Sequence, residues 1–357
     1  MDYPKNLNSI PQLMHPPSTT KKPRLFRTVF APLLAGLLCS VFLLEIITRI
    51  VFSTRLDYQI EMCRYAVLLK HKRPDSPMGH EHIPNKKATL MGVPVEINSY
   101  GFRDRERPLL KKANTYRIFV LGDSLTFGWG VPAEQRFSDL LEEMSNQYLE
   151  QRHSLTRVEV INAGIGNFNT VQELALFREK GTAWQPDLII LNYFINDAEP
   201  TPERPASSFF RFSYLAAWLW ERWTILQLRM HPERDFLHYY RGLYQESQPG
   251  WRQNRLAIQN LARLAKERHA KLLVAILPEL HTIGLHYAFK DIHQLIEQTA
   301  THAGADTVID LEPLFQSETP KDLWVHPEDS HPNARAQALI AKGLFQFLLK
   351  QGPFYES

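Results

Sequence analysis

A serine follows directly after an apolar run in LGDSLTFGWG, residues 121–130. If the run is a strand and the serine opens a helix, the Ser124 N–H lies at the positive end of the helix dipole and can receive an oxyanion. Gly122 permits the tight exit from the strand. Asp123 and Ser124 are also residue types that cap helices, so the segment alone leaves a nucleophile and a helix cap as open interpretations.

Acids and histidines crowd into HPEDSHPN, residues 326–333, ahead of a predicted helix. An imidazole hydrogen-bonded to a carboxylate gives a serine a general base near neutral pH. His331 is the predicted base, and Asp329 or Glu328 can be its acid partner. His326 is a nearby alternative base, although a loop histidine is the plainer interpretation.

Two further turns carry groups that can donate hydrogen bonds to an oxyanion. NAGIGNFNT, residues 162–170, is a glycine-bearing turn able to expose backbone N–H groups. NYFIND, residues 192–197, offers the side-chain amide of Asn196. Gly and Asn mark turns in most proteins, so each segment is weak alone and gains meaning only in combination with the others.

Together the four segments resemble the SGNH/GDSL hydrolase family, whose blocks carry Ser, Gly, Asn and His in this chain order. The resemblance covers roughly residues 114–350, and GDSLTFGWG and DSHPN are its most specific parts. It implies that Ser124 is the nucleophile and that its N–H and Asn196 are oxyanion donors. It further implies that His331 is the general base and that Asp329 orients it.

Two positions depart from the frequent family pattern. Many members have Asp three residues before the His, where this chain has Glu328, whereas Asp329 lies two before. Asp329 is preferred because a two-residue spacing places it on the same side of an extended segment as His331. The block-two glycine falls on Asn167, with Gly166 just before it. Asn tolerates positive φ, so either residue can supply the backbone N–H of the oxyanion hole.

The elements that must position these groups alternate between strands and helices. Strands are predicted at 116–123, 157–164, 186–194, 271–280 and 307–311, and helices at 137–151, 171–181, 252–270, 289–304 and 334–350. This alternation predicts an α/β fold, a doubly wound, flavodoxin-like, five-stranded parallel sheet with helices on both faces. Ligands bind beyond the carboxyl ends of such strands, where the four segments lie.

The N-terminal part predicts a membrane anchor at residues 28–52. TVFAPLLAGLLCSVFLLEII, from Thr28 to Ile47, has one charge, Glu45, which can pair with Arg49. A cleaved signal peptide would need a shorter apolar run and a small-residue cleavage site. A buried core helix is the remaining alternative.

The residues before this run predict the orientation of the anchor. Residues 1–27 are rich in Pro, Asn, Ser and Lys and predict a disordered cytoplasmic tail. Its last residues are basic, which favours the cytoplasm for that side: Lys21, Lys22, Arg24 and Arg27. The chain is therefore expected to cross the inner membrane once, with its catalytic domain on the extracytoplasmic side.

Two segments lie outside the alternating pattern. Residues 53–113 carry scattered charge and are predicted to be a juxtamembrane segment packed on the main domain, with a short strand or hairpin within 90–106. Residues 198–250, inside the hydrolase domain at 114–350, are too long for a connection. They predict a helical insertion that buries its aromatic residues against the sheet. A lid, an acyl-binding wall or a membrane-skimming helix is the alternative.

Composition narrows the classes of function. Hydrophobic residues at 44% and charged residues at 22% are ordinary globular values, and the net charge of +3 is spread along the chain. Nucleic acid is therefore not an expected partner. The two cysteines make neither a disulfide framework nor a zinc site, and no metal or cofactor is expected.

Acyl transfer is the predicted reaction: Ser124 attacks an ester carbonyl, and water or another hydroxyl resolves the acyl-enzyme. With water as acceptor, the chain is a membrane-anchored serine esterase acting on an ester or an O-acylated carbohydrate. With a sugar hydroxyl as acceptor, it is an O-acyltransferase, and deacetylation of extracytoplasmic polysaccharide is a related possibility. A non-catalytic, glycan-binding relative is the third class.

Overall fold

The computed structural model describes residues 29–201, 212–230 and 236–351. The predicted tail at 1–27 and its basic residues lie outside this range, as does part of the predicted insertion. The chain divides into two compact units, Met1–Ile50 and Val51–Ser357.

The first unit contains helix α1 (Ala31–Val51), none of whose residues is buried. Its mean hydropathy reaches 2.1, and it is the one helix in the described residues that is long and apolar enough to cross a membrane. A signal sequence passes the same test of length and composition. Arg49 Nε donates to Glu45 Oε1 at 2.7 Å, which confirms the predicted pair.

The second unit begins with a segment of small elements. Helix α2 (Tyr58–Leu68) precedes two antiparallel hairpins, β1 (Lys70–Arg73) with β2 (Gly79–His82), and β3 (Lys87–Leu90) with β4 (Val93–Glu96). We call residues 57–103 the N-terminal platform. The short strand expected within 90–106 is β4, and its hairpin partner β3 begins earlier, at Lys87. Beyond β4, the Asn98 carboxamide oxygen accepts the N–H groups of Tyr100 and Phe102 and holds the chain in a turn.

A five-stranded parallel sheet forms the centre of the second unit, as predicted. Its strands are β5 (Thr115–Leu121), β6 (Arg157–Asn162), β7 (Leu188–Tyr193), β8 (Lys271–Ile276) and β9 (Thr307–Asp310). They lie in the order β6-β5-β7-β8-β9, and every neighbouring pair is parallel. The strand order reverses at β5, and in open α/β sheets such a reversal marks the ligand-binding crevice.

Helices alternate with the strands, and those that begin at Phe137, Thr170, Pro249, Lys290 and Ala334 are the five that the periodicity predicted. The helices are α3 (Ser124–Phe127), α4 (Phe137–Gln151), α5 (Thr170–Glu179), α6 (Tyr214–Met230), α7 (Phe236–Leu243), α8 (Pro249–Glu267), α9 (Lys290–His302) and α10 (Ala334–Gln351). Short 3-10 turns lie at Ala133–Gln135, Gly181–Trp184, Ile195–Ala198, Glu312–Phe315 and Pro320–Leu323. The strands and the apolar faces of α4, α5, α8, α9 and α10 enclose one large hydrophobic core.

The described part of the predicted insertion is helical, in α6 and α7. Tyr244, just after α7, is buried in the main core. Trp220 and Trp223 on α6 are instead 58% and 53% exposed. Burial of the aromatic residues against the sheet therefore holds for the end of the insertion and not for α6, which contacts α2 of the platform.

Candidate active site

Ser124 lies at the carboxyl end of β5, where it begins the short helix α3. The Asp123 carboxylate caps this helix by accepting the Leu125 N–H at 2.8 Å. A side chain at Gly122 would place its Cβ 2.1 Å from Thr126 Oγ1, so the strand can turn this sharply only with glycine there. The turn presents Ser124 at the edge of the sheet, with 8% of its surface exposed.

A chain of hydrogen bonds joins Ser124 to His331 and Asp329. Ser124 Oγ lies 2.8 Å from His331 Nε2, and His331 Nδ1 lies 2.5 Å from Asp329 Oδ1. Both partners are on strand β11 (Asp329–Pro332), which pairs with β10 (Trp324–His326). Because β11 is extended, residues two apart face the same side, as the spacing predicted.

The Asp329 carboxylate is buried, and Trp129 Nε1 donates to its second oxygen, Oδ2, at 2.9 Å. Burial alone would raise the pKa of Asp329. The hydrogen bonds and charge of His331, together with the Trp129 bond, outweigh burial and hold the pKa below its usual value. Asp329 is therefore an ionised partner that can fix the imidazole with Nδ1 protonated and Nε2 facing Ser124.

The two alternatives on the same loop do not make these contacts. The Glu328 side chain is exposed, although the residue lines the mouth of the cleft described below. Its backbone N–H donates to His326 Nδ1 at 3.3 Å. His331, and not His326, contacts the serine.

Asn196 reaches the same place from the 3-10 turn that follows β7. Its Nδ2 donates one hydrogen to Asp123 Oδ2 at 3.1 Å. Burial raises the pKa of Asp123, while the bonds from Leu125 N–H and Asn196 favour its ionised form. One carboxylate thus caps the helix that carries Ser124 and orients the amide of Asn196.

The turn after β6 distinguishes Gly166 from Asn167. The Gly166 N–H donates to the Tyr65 hydroxyl at 3.0 Å, so it is already used. Asn167 has φ 65° and lines the cleft, and no hydrogen bond from its N–H to another described residue is formed. Of the two candidates, only Asn167 has a backbone N–H free to receive an oxyanion.

These groups line one cleft of about 270 Å³. Its walls come from four parts of the chain: the platform, the motif turns, the insertion and the loop after β8. The lining includes Tyr58, Ser124, Asn167, Phe194, Asn196, Phe236, Tyr240, Glu279, Leu280, His281, Glu328 and His331. The Tyr58 ring centroid lies 5.6 Å from that of His331, and burial raises the pKa of Tyr58 so that its phenol stays protonated.

A second carboxylate–imidazole pair lines the cleft. His281 Nδ1 lies 2.5 Å from Glu279 Oε1, and the His281 backbone N–H donates to the same carboxylate. This repeats the arrangement of Asp329 and His331, again with the acid two positions before the histidine. Glu279 is buried, whereas the His281 side chain is 43% exposed.

Sequence reasoning missed several residues of this site. Trp129 lies inside the quoted GDSLTFGWG segment, but nothing in the pattern connects it to Asp329, 200 residues away. Tyr58, Tyr65 and Lys70 belong to the platform, where no motif drew attention. The one available signal was the concentration of basic and histidine residues between 70 and 82, which would have indicated only Lys70.

Comparisons with known proteins place the chain among ester hydrolases. The model of the GDSL-like Lipase/Acylhydrolase family matches residues 120–339, more than half of the chain. A search of curated protein sequences finds no match.

Solved structures with a similar chain path are esterases and hydrolases. One is a two-domain esterase active on acetylated mannans, 16% identical over 67% of this chain and 50% of its own, with a TM-score of 0.43. Another is a catalytic mutant of an acetylxylan esterase from Geobacillus stearothermophilus, which is 13% identical over 67% of this chain and 95% of its own, with a TM-score of 0.41. A third is an alpha/beta hydrolase enzyme from the metagenome of Lake Arreo, Spain, which is 13% identical over 67% of this chain and 96% of its own, with a TM-score of 0.42.

Proposed function

Because the chain belongs to the GDSL-like lipase/acylhydrolase family and is therefore an ester-hydrolysing enzyme, we propose that Ser124 is its nucleophile. The observation that carries this proposal is the continuous chain from Ser124 Oγ through His331 to Asp329, within one cleft. A serine hydroxyl is a weak nucleophile unless a base takes its proton, and His331 Nε2 is within hydrogen-bond distance.

The reaction then runs through an acyl-enzyme. Ser124 Oγ attacks the ester carbonyl while His331 takes its proton, and Asp329 stabilises the resulting imidazolium. The carbonyl oxygen becomes an oxyanion that accepts hydrogen bonds from the N–H groups of Ser124 and Asn167 and from Asn196 Nδ2. His331 returns the proton to the leaving alcohol, and a water molecule, activated by the same imidazole, releases the acid.

We further propose that the substrate is a short-chain ester on a carbohydrate. Pockets for drug-sized ligands span about 300–1,000 Å³, so this cleft fits a small acyl group better than a long lipid chain. Rings of Tyr58, Phe236 and Tyr240 offer apolar faces to a sugar, while His281 and Glu328 can bind its hydroxyls.

Transfer of the acyl group to a hydroxyl is a second candidate, and the Glu279–His281 pair favours it. In a hydrolase, one imidazole suffices for both half-reactions. A second imidazole held by a buried carboxylate can orient or deprotonate an incoming sugar hydroxyl in the same cleft.

We also propose that α1 anchors the enzyme in the inner membrane, with the catalytic unit outside the cytoplasm. The apolar length of α1 and the basic residues before it support this arrangement.

The function is tested with a fluorophosphonate probe and p-nitrophenyl esters of increasing chain length. The wild type should be labelled and should prefer acetyl to long acyl chains. Ser124→Ala should lose labelling and reduce turnover by at least about 10³-fold, because only binding and oxyanion stabilisation remain. Near-normal hydrolysis by folded Ser124→Ala would refute the assignment. Adding acetylated and free oligosaccharides then distinguishes release of acetate from transfer.

The anchor is tested by fractionation. The full-length chain should sediment with membranes and resist extraction by high salt or alkaline carbonate, whereas a chain beginning at Leu56 should be soluble. Full-length protein in the soluble fraction, or protein shortened near Cys39, would mean that α1 is not an anchor.

A further inference from the structure

We propose that Lys70 of the N-terminal platform positions and polarises the peptide that donates the Asn167 N–H to the oxyanion. Lys70 lies outside the matched family region at 120–339 and touches none of the proposed reacting atoms. This inference rests on the proposed function, since it concerns how one of the oxyanion donors is held.

The contacts converge on one carbonyl group. Lys70 Nζ donates to the Gly166 carbonyl oxygen at 2.5 Å and to Asn167 Oδ1 at 3.1 Å. His80 Nε2 lies 3.2 Å from the same carbonyl. The Lys70 ammonium also lies 4.0 Å from the centroid of the Tyr65 ring, which holds it against the turn.

Peptide geometry converts this contact into an orientation of the donor. The Gly166 carbonyl and the Asn167 N–H belong to one planar, trans peptide, so the two groups point in opposite directions. A cation that holds the carbonyl toward the platform therefore turns the N–H away from the platform. Asn167 lines the catalytic cleft, which is consistent with this direction.

The other side of Gly166 is held by a buried relay. The Gly166 N–H donates to the Tyr65 hydroxyl, which lies 2.6 Å from His82 Nε2. His82 Nδ1 lies 3.0 Å from the Gly101 carbonyl, which can only accept, so Nδ1 carries the proton and Nε2 accepts from Tyr65. Burial lowers the pKa of His82 well below its usual value, which keeps this neutral form.

Close packing allows this turn little freedom. A Cβ at Gly166 would lie 2.7 Å from Tyr65 Cε1, so the platform approaches the backbone as closely as glycine permits. The turn is thus fixed at its N–H by Tyr65 and at its carbonyl by Lys70.

The positive charge of Lys70 also strengthens the Asn167 N–H as a hydrogen-bond donor. A cation bound to a carbonyl oxygen polarises the peptide and makes its N–H a stronger donor, and hydrogen bonds in a chain reinforce one another. Such a donor strengthens as negative charge develops on the substrate oxygen, so it favours the transition state over the bound ester. Losing Lys70 should therefore lower kcat and leave KM nearly unchanged.

The test compares Lys70→Met, which keeps the apolar stem without the charge, with Lys70→Arg, which keeps the charge. The matched control is Lys72→Met, an exposed lysine on the same strand. Lys70→Met should lower kcat for p-nitrophenyl acetate by about 10- to 100-fold, less than full removal of an oxyanion donor. Lys70→Arg should recover most of the loss, and Lys72→Met should match the wild type.

A boronic acid supplies a readout that a purely structural role would not move. Its tetrahedral adduct with Ser124 puts an oxygen at the oxyanion position, so its affinity should fall in Lys70→Met by the same factor as kcat. Thermal unfolding monitors the fold of each variant. If Lys70→Met does not fold, Lys70→Gln provides the same comparison with a neutral hydrogen-bond donor.

The outcomes separate the two proposals. A wild type that neither hydrolyses esters nor is labelled at Ser124 refutes the proposed function. An active wild type with folded Lys70→Met within about two-fold of its kcat overturns the role of Lys70 alone. A raised KM with unchanged kcat would also overturn it, because Lys70 would then bind the substrate uniformly.

Discussion

The catalytic edge of the sheet and the N-terminal platform contribute different things to one site. The edge supplies every proposed reacting group, on turns after β5, β6 and β7 and on β11. The platform supplies none, yet Tyr58 packs beside His331, and Tyr65 and Lys70 hold the turn after β6. In this protein, the region that matches the family supplies the proposed reacting atoms, and the N-terminal platform contacts and orients the groups that carry them.

Three buried ionisable groups in the two regions have pKa values shifted in opposite directions. In the core, Glu173 on α5 and the nearby Asp197 are fully buried, and burial raises the pKa of both well above their usual values. In the platform, burial lowers the pKa of His82. Burial therefore favours the neutral form of all three groups, but pH acts on the two acids and on the histidine in opposite directions.

The largest effect is expected at the edge, where Asp329→Asn should lower kcat/KM by roughly 10² to 10⁴-fold. An amide leaves the geometry but favours the wrong tautomer of His331 and does not stabilise the imidazolium. Glu328→Gln is the matched control and should have little effect, because its side chain is exposed on the same loop. The measurement is kcat/KM on one activated ester. The reverse order of severity would transfer the role to Glu328.

A smaller effect is expected in the platform, where Tyr65→Phe removes the acceptor of the Gly166 N–H. Leaving this buried donor unsatisfied should lower the free energy of unfolding by about 1–3 kcal/mol. The turn also loses the restraint on its Gly166 N–H, so kcat should fall by a few-fold. Tyr100→Phe is the control, since the Tyr100 ring is partly buried but its contacts are made by its ring and backbone.

Chemical denaturation and ester kinetics on the same preparations check this result. A Tyr65→Phe protein as stable as Tyr100→Phe would show that water replaces the hydroxyl, and the contrast between platform and edge would then rest on Lys70 alone.

The smallest effect concerns the pH dependence of stability. A raised pKa at Glu173 means that the folded protein holds a proton that the unfolded chain releases above about pH 4, so stability falls as pH rises. A lowered pKa at His82 means that the unfolded chain binds a proton below about pH 6.5, whereas the folded protein does not bind it there. The stability of the fold therefore falls as pH drops.

Glu173→Gln should therefore reduce the fall in Tm as pH rises above about 4, and His82→Gln should reduce the fall in Tm as pH drops below about 6.5. A stability change of about 1 kcal/mol would alter Tm by roughly 2–4 °C in a domain of about 150–250 residues. Glu143→Gln, on the exposed face of α4, should leave the dependence of Tm on pH unchanged. Parallel curves for all variants would mean that other groups dominate the pH dependence.

Much of the fold follows from the sequence because it depends on local pattern. Five apolar runs alternate with segments of helical spacing, and helix α4 spans the predicted residues 137–151. The same holds for the approach of Asn196 to the turn that carries Ser124, since parallel strands end at one edge and their following turns meet there. The short strand predicted within 90–106 is β4, but its partner β3 begins at Lys87, before that range, and the Asn98 side chain holds the residues that follow β4 in a turn.

Tertiary structure alone decided the details that set chemistry. The sequence left Gly166 and Asn167 equivalent, and the Tyr65 hydroxyl, 101 residues away, separates them by engaging one N–H. The position of Trp129 in the motif does not indicate its partner, but its indole N–H donates to Asp329, 200 residues later in the chain. Helices and strands bury one face or both, and the spacing of their apolar residues records this in the local sequence. A hydrogen bond between distant side chains leaves no periodic pattern, so only folding brings its donor and acceptor together.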